Sequence, residues 1–140
     1  MSIPASPSLN FLVIDDNADS RFLLVKTLLR KFPAALVQEC QSAPSAIDLV
    51  RQESHSAVVM HRASELTGLQ LLRELRAANG TVPIIVVSSI DRSQEAKALG
   101  ADGFLLYDEW LRIGTVVAEL LKSRSSRPPF ATESQEEAAK

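Results

Sequence analysis

Phe11-Leu12-Val13-Ile14-Asp15-Asp16-Asn17 decides how the rest of the chain reads. Four apolar residues in a row, two of them β-branched, predict a strand buried on both faces, the pattern of a parallel sheet. Two adjacent carboxylates close it. Like charges side by side need a bound cation, a nearby Lys or Arg, or full solvation to offset them. In an open α/β sheet, ligands bind outside the carboxyl ends of the strands. Asp15 and Asp16 are therefore the first candidate site, with an ordinary turn and helix cap as the plainer reading.

Outward from this strand the chain alternates between helix and strand. Asp19 or Ser20 can cap a helix running to about Phe32, with Phe22, Val25, Leu28, Leu29 and Phe32 along one face, and Pro33 ends it. Leu36 to Cys40 is a shorter, more polar strand that suits a sheet edge. Ser42 or Pro44-Ser45 begins a second helix, with Ala43, Ala46, Ile47 and Val50 inward and Arg51, Gln52 and Glu53 outward. Ser56 to Met60 is a third strand, again continuously apolar, and His61 to Thr67 reads as a loop. The periodic run from Gly68 to Arg76 predicts a helix that Asn79-Gly80 stops.

Pro83 to Ser88 is the most hydrophobic strand, and its proline sits at the first position, where a missing N–H does little harm. A short helix follows within Asp91 to Leu99, ended by Gly100. Gly103 to Tyr107 is the fifth strand, and a last helix runs from about Leu111 to Ser123 with Ile113, Val116, Val117, Leu120 and Leu121 on one stripe. Residues 1–8 read as a tail, 9–123 as one domain, and the Ser-, Pro- and Glu-rich 124–140 as a disordered tail or linker. Such alternation implies right-handed crossovers and a five-stranded doubly wound parallel α/β sheet.

At 140 residues the chain is long enough for one full core, and a net charge of −2 with pI near 5.7 gives no support for nucleic-acid or membrane binding. No apolar run approaches the ~20 residues of a membrane span, and the N-terminus lacks the cationic start of a secretory signal, so a cytoplasmic location is expected. The single cysteine, Cys40, follows an apolar stretch, reads as a core filler and fits a reducing compartment. Residues at the carboxyl ends of the strands converge on one crevice: Asp15 and Asp16, Met60 to Arg62, Ser88 and Ser89, and Tyr107 to Glu109. A diacid and hydroxyls around a cleft suit metal-assisted phosphoryl chemistry.

The span from about Leu9 to Ser123 resembles a receiver domain of two-component response regulators, a CheY-like, flavodoxin-like fold. The resemblance rests on Val13 to Asn17, Gly68 to Arg76, Pro83 to Ser89 and Leu99 to Leu106 taken together. It implies that the acidic pair holds magnesium and that an aspartate ending the third strand takes the phosphoryl group. It further implies a Ser or Thr sensor ending the fourth strand and a lysine, followed by proline, after the fifth.

The chain departs from that pattern where the chemistry is done. Counting eight residues back from Gly68 places Met60 at the acceptor position, and the count from the acidic pair agrees. A thioether forms no acyl phosphate and is a poor ligand for a hard cation. Tyr107 stands at the lysine position with Asp108 where the proline is expected, while Asp15, Asp16 and Ser88 are retained and Phe104 takes the switch-aromatic position. The segment between Ser88 and Gly100 is also about three residues short of the family's usual length, close to one helical turn. Arg62 offers a substitute cation whose guanidinium can reach Asp15 or Asp16, or else points to solvent.

A degenerate receiver is the resulting expectation: no enzyme, no resident cofactor, and a weakened magnesium site at Asp15 and Asp16, empty or paired with Arg62. Its partner would be a sensor kinase, an output domain or a second copy of the chain. The surface would be the face of the fourth helix, fifth strand and fifth helix, where Phe104, Tyr107 and Trp110 stand as candidate anchors. Three competing readings remain. In the first, His61, which alternation points away from Met60, or one of the acidic pair serves as substitute phosphoacceptor, while His55 is placed in an exposed loop. In the second, a haloacid-dehalogenase-type phosphatase would need an aspartate two residues after its nucleophile, where Asn17 or Ala18 stands. In the third, a flavodoxin-type flavin carrier would have its phosphate repelled by Asp15 and Asp16.

Overall fold

A computed structural model describes residues 8–125, whose strands are β1 Asn10–Asp15, β2 Leu36–Cys40, β3 Ala57–Arg62, β4 Ile84–Ser88 and β5 Gly103–Leu106. All pair in parallel in the order β2-β1-β3-β4-β5. This is the flavodoxin-like doubly wound order, whose switch point lies between β1 and β3. The helices are α1 Ala18–Lys31, α2 Ala43–Gln52, α3 Gly68–Ala78, α4 Ser93–Ala98 and α5 Ile113–Ser125, with a 3-10 segment, Tyr107–Arg112, between β5 and α5.

The strands' period of two divides the core into two layers. Leu12, Ile14, Val58, Met60, Ile84 and Val86 face α2 and α3, meeting Ala46, Val50, Leu71, Leu72 and Leu75. Phe11, Val13, Val59, Ile85 and Val87 face α1 and α5, meeting Leu24, Leu28, Ile113 and Val117. Cys40 is a free, buried thiol of the first layer. Ser42 caps α2 through the Ser45 N–H, and Thr67 with Gln70 forms a reciprocal capping box on α3. Among the described residues no helix is long and apolar enough to cross a membrane.

Several expectations need correcting. Asn17, not Asp19 or Ser20, caps α1, its side chain accepting from the Ser20 N–H. Ser20 is buried because its hydroxyl bonds Asp15, so the stripe that follows it inward is Leu24 and Leu28 rather than Phe22, which is 59% exposed beneath the Lys26 ammonium. The predicted loop at His61 begins two residues late, since β3 continues through His61 and Arg62. Leu111 lies in the 3-10 segment and is 64% exposed, so the last helix starts at Ile113 and continues past Ser123 to Ser125. His55 is in a loop but half-buried against β2, where its Nε2 meets Gln38 Oε1 at 2.8 Å; burial lowers its pKa against the opposing pull of Glu53. The expected terminal tails lie, apart from Ser8, Arg124 and Ser125, outside the described residues.

Gly100 is required where it stands. Its φ of +103° is one that side chains rarely adopt, and an added Cβ would lie 3.1 Å from Arg76 Nε. Arg76 cannot easily yield, because its guanidinium donates to the carbonyls of Gly100, Asn79 and Val82 and to Asp102 Oδ2. Gly100→Ala is expected to lower the unfolding free energy by about 2 kcal/mol in urea titration, combining backbone strain with the displaced guanidinium. A loss below ~0.5 kcal/mol would show that this turn relaxes freely.

Candidate functional site

The crevice is built where β1 and β3 end. A shift of register between Ile14 and Asp15 pairs Asp15 with Arg62, and the Asp16 N–H donates to the Arg62 carbonyl at 3.0 Å. The shift lengthens β3 past the point where Met60 would otherwise end it. Strand alternation then decides which side chain reaches the acids. Met60 turns into the layer beneath α3, fully buried with Leu12, Ile14 and Leu71, while His61 turns toward Asp15. By count Met60 occupies the acceptor position; in space its sulfur belongs to the core.

Asp15 is fully buried and saturated with donors. Its Oδ1 accepts from the Asn17 N–H at 2.9 Å, and its Oδ2 accepts from the Ser20 hydroxyl and from His61 Nδ1, the latter at 3.0 Å. Burial pushes this carboxyl up, but the bonds from His61, Ser20 and Asn17, with the attraction of the His61 ring, outweigh it and leave the pKa below 3.8. The His61 ring stacks on Tyr107 with centroids 4.9 Å apart and planes within 6°. Tyr107 therefore covers the histidine rather than supplying a charge.

Asp16 is partnered differently. Arg62 Nε donates to its Oδ1 at 3.0 Å and lies 3.9 Å from Asp15 Oδ1, while the Ser64 hydroxyl donates to Asp16 Oδ2 at 3.1 Å. Half-exposed, the pair adds only ~0–1 kcal/mol to stability. Its consequence is chemical: one guanidinium sits beside both carboxylates. A second arginine, Arg21, donates from Nη1 to the Asp15 carbonyl at 2.8 Å and from Nε to Glu39 at 2.9 Å.

Every carboxylate oxygen of the acidic pair thus has a protein donor. A magnesium ion, which demands oxygen ligands in near-octahedral array, would have to share the acids with the Arg62 guanidinium, 3.0 Å from Asp16 and 3.9 Å from Asp15, whose like charge opposes it. Among the described residues no group of three or more His, Cys, Asp or Glu side chains is arranged to hold a metal ion. The donor set does not fit the cation.

On the far side of His61 lies a cleft of about 340 Å³, between the ends of β3 and β4 and the start of α3. Ser88, ending β4, lines it, and its hydroxyl accepts from the Ile90 N–H at 3.1 Å. Phe104, Tyr107 and Trp110 are all half-buried, Phe104 against the α3 layer and the other two against the α1–α5 layer. Sequence reasoning missed the roles of Ser20, Ser64 and Arg21 and the ring stack on Tyr107. Their signal was faint: a serine five residues past Asp15 at helical spacing, and nothing for the stack.

The comparisons with known proteins agree with this architecture. The response regulator receiver domain family matches residues 11–108, well over half of the chain. The response regulator MprA of Mycolicibacterium vanbaalenii is 33% identical over 98 residues, covering 67% of this chain and 42% of its own length. The transcriptional regulatory protein ZraR of Escherichia coli is 28% identical over 103 residues, 71% of this chain and 23% of its own. The chain therefore spans less than half the length of these curated relatives. The signal receiver domain of NarL from Mycobacterium tuberculosis superposes with a TM-score of 0.72 at 23% identity, over 84% of this chain and 98% of that one, a likeness of fold alone. With the β2-β1-β3-β4-β5 sheet and an acidic pair at its switch point, the chain belongs to the receiver domain family of two-component response regulators.

Proposed function

We propose that this receiver domain transmits its signal as a protein-interaction module without taking a phosphoryl group at the usual strand end. The observation that carries the reading is the guanidinium of Arg62 on Asp16, 3.9 Å from Asp15, where the reaction would need a cation and a third carboxylate. Met60, buried in the apolar layer, supplies no nucleophile, and Tyr107, stacked on His61, supplies no counter-charge. No enzymatic step and no resident magnesium belong to this reading.

The partner surface is the face of α4, β5 and α5, taken by a sensor kinase, an output domain or a second copy. Ile90, 60% exposed in the loop after β4, and Leu111, 64% exposed in the 3-10 segment, are apolar side chains open to solvent near its ends. α4 is only six residues long and has no side-chain cap.

Incubation with acetyl phosphate, or with beryllofluoride, in the presence of magnesium tests the reading. Intact mass is expected to stay unchanged, and the fluorescence of the lone Trp110 to show no magnesium-dependent shift. A stoichiometric hydroxylamine-labile adduct would overturn it. In the same titration, Arg62→Ala is expected to gain measurable magnesium binding that the parent lacks. A second reading has one observation in its favour: Asp15 engages His61 Nδ1, which leaves Nε2 as the ring nitrogen able to accept a phosphoryl group. An alkali-stable, acid-labile adduct on His61 would select it.

A further inference from the structure

We infer that the groove between α4 and β5 is covered by a segment of this same chain, Ser126-Arg127-Pro128-Pro129-Phe130, with the Phe130 ring as its anchor. This rests on the reading of the α4, β5 and α5 face as the partner surface, and it gives that face an occupant any partner must displace. The groove holds about 270 Å³, room for one aromatic side chain and little more. Ala101, Gly103 and Phe104 give it an apolar side, while Ser93 and Lys97 of α4 form the other. It opens at the edge of the sheet, because β5 pairs only with β4. Half-buried Phe104 keeps part of its surface open there.

The end of α5 is fixed at the rim of this groove. Arg124 Nη2 donates to the Thr81 carbonyl at 2.9 Å, and its Nη1 lies 3.5 Å from Oδ1 of Asp102, which lines the groove. Asp102 is itself held in place, since its Oδ2 accepts from the Ile84 N–H and from Arg76 Nη2, both at 2.9 Å. Whatever follows Ser125 therefore starts beside the groove. Phe130 stands five positions past Ser125, a reach of up to ~17 Å, against ~7 Å from Asp102 to Phe104 along the strand. It is the only large apolar side chain after Leu121, set among Ser, Pro, Arg and Glu, and such a ring gains most by burial against another ring. Two successive prolines restrict the backbone beforehand, so docking costs less entropy. A tethered segment meets the groove at an effective concentration on the order of millimolar, above that of a second copy in dilute solution. That difference selects this chain's own segment as the occupant.

NMR on the full chain tests this. Cross-relaxation between the Phe130 ring and the Phe104 ring or the Ala101 methyl is expected, at an intensity independent of protein concentration. Phe130→Ala is expected to abolish it and to shift the amides of Lys97, Ala101, Gly103 and Phe104, while Thr132→Ala, close by in the sequence, leaves them in place. Arg124→Gln, which releases the end of α5 from Thr81 and Asp102, should weaken the cross-peaks severalfold. Groove amides unmoved by Phe130→Ala would overturn the proposal. So would cross-peaks that grow with protein concentration or arise between differently labelled copies, since the occupant would then be a second copy. None of these readouts depends on phosphorylation: an aspartyl adduct would sink the proposed function and leave this contact standing, and a missing contact would do the reverse.

Discussion

Met60→Asp, the substitution that writes an acceptor back into the sequence, is expected to cost about 5 kcal/mol of stability and to yield no phosphorylated protein. The side chain at 60 points into the apolar layer with Leu12, Ile14 and Leu71, where it is fully buried. A carboxylate there loses the thioether's packing and gains no cation, donor or water. Stabilities of ordinary domains are only about 5–15 kcal/mol, so most of the molecules would unfold under mild denaturant. Met60→Leu, which conserves volume, should cost less than ~1.5 kcal/mol and calibrates the urea titration. A stable Met60→Asp protein that accepts a phosphoryl group from acetyl phosphate would show that β3 can slide back by one residue, and the site described above would be only one of two registers.

The second large effect concerns Asp15. Asp15→Ala removes an acceptor from the Asn17 N–H, the Ser20 hydroxyl and the His61 ring, and the latter two side chains are themselves buried. Stranded buried donors make this loss about 3 kcal/mol, with Asp15→Asn costing roughly half because one carbonyl oxygen survives. The same bonds set a pH dependence. Despite burial, they hold the Asp15 pKa below its ordinary 3.8, so the unfolded chain binds that proton first as the pH falls. The contribution is complete above about pH 4 and is lost as the pH drops through the depressed folded value. Asp15→Asn should therefore flatten the acid limb of a stability-against-pH curve. An unchanged acid limb would mean that another carboxylate governs it.

Much of the architecture was legible because it depends on local patterns. Continuous apolar runs at Phe11–Ile14, Val58–Met60 and Ile84–Val87 are short, largely β-branched and bounded by turn signals, which reads as central parallel strands, and Asn79-Gly80 and Gly100 mark the ends of the helices between them. One position of the α1 stripe was misjudged: Val25 and Leu28 are buried and Leu29 and Phe32 pack on the same layer as expected, but Phe22 and Leu24 both fit a helical face. The choice between them was made by Ser20, drawn inward by a carboxylate on β1. The two extra residues of β3 were hidden for a similar reason: their register is set against β1, 46 positions away in sequence.

By itself, then, the sequence determined the fold class and the alternation of strand and helix, since these follow from residue type and short-range spacing. Only the tertiary structure decided which side chains at the end of β3 face the acids. A strand's side chains alternate, so a one-residue shift between β1 and β3 exchanges the two faces. Met60, paired with Ile14 ahead of the shift, stays in the core, while the shift sets Arg62 opposite Asp15 and brings His61 and Arg62 to Asp15 and Asp16.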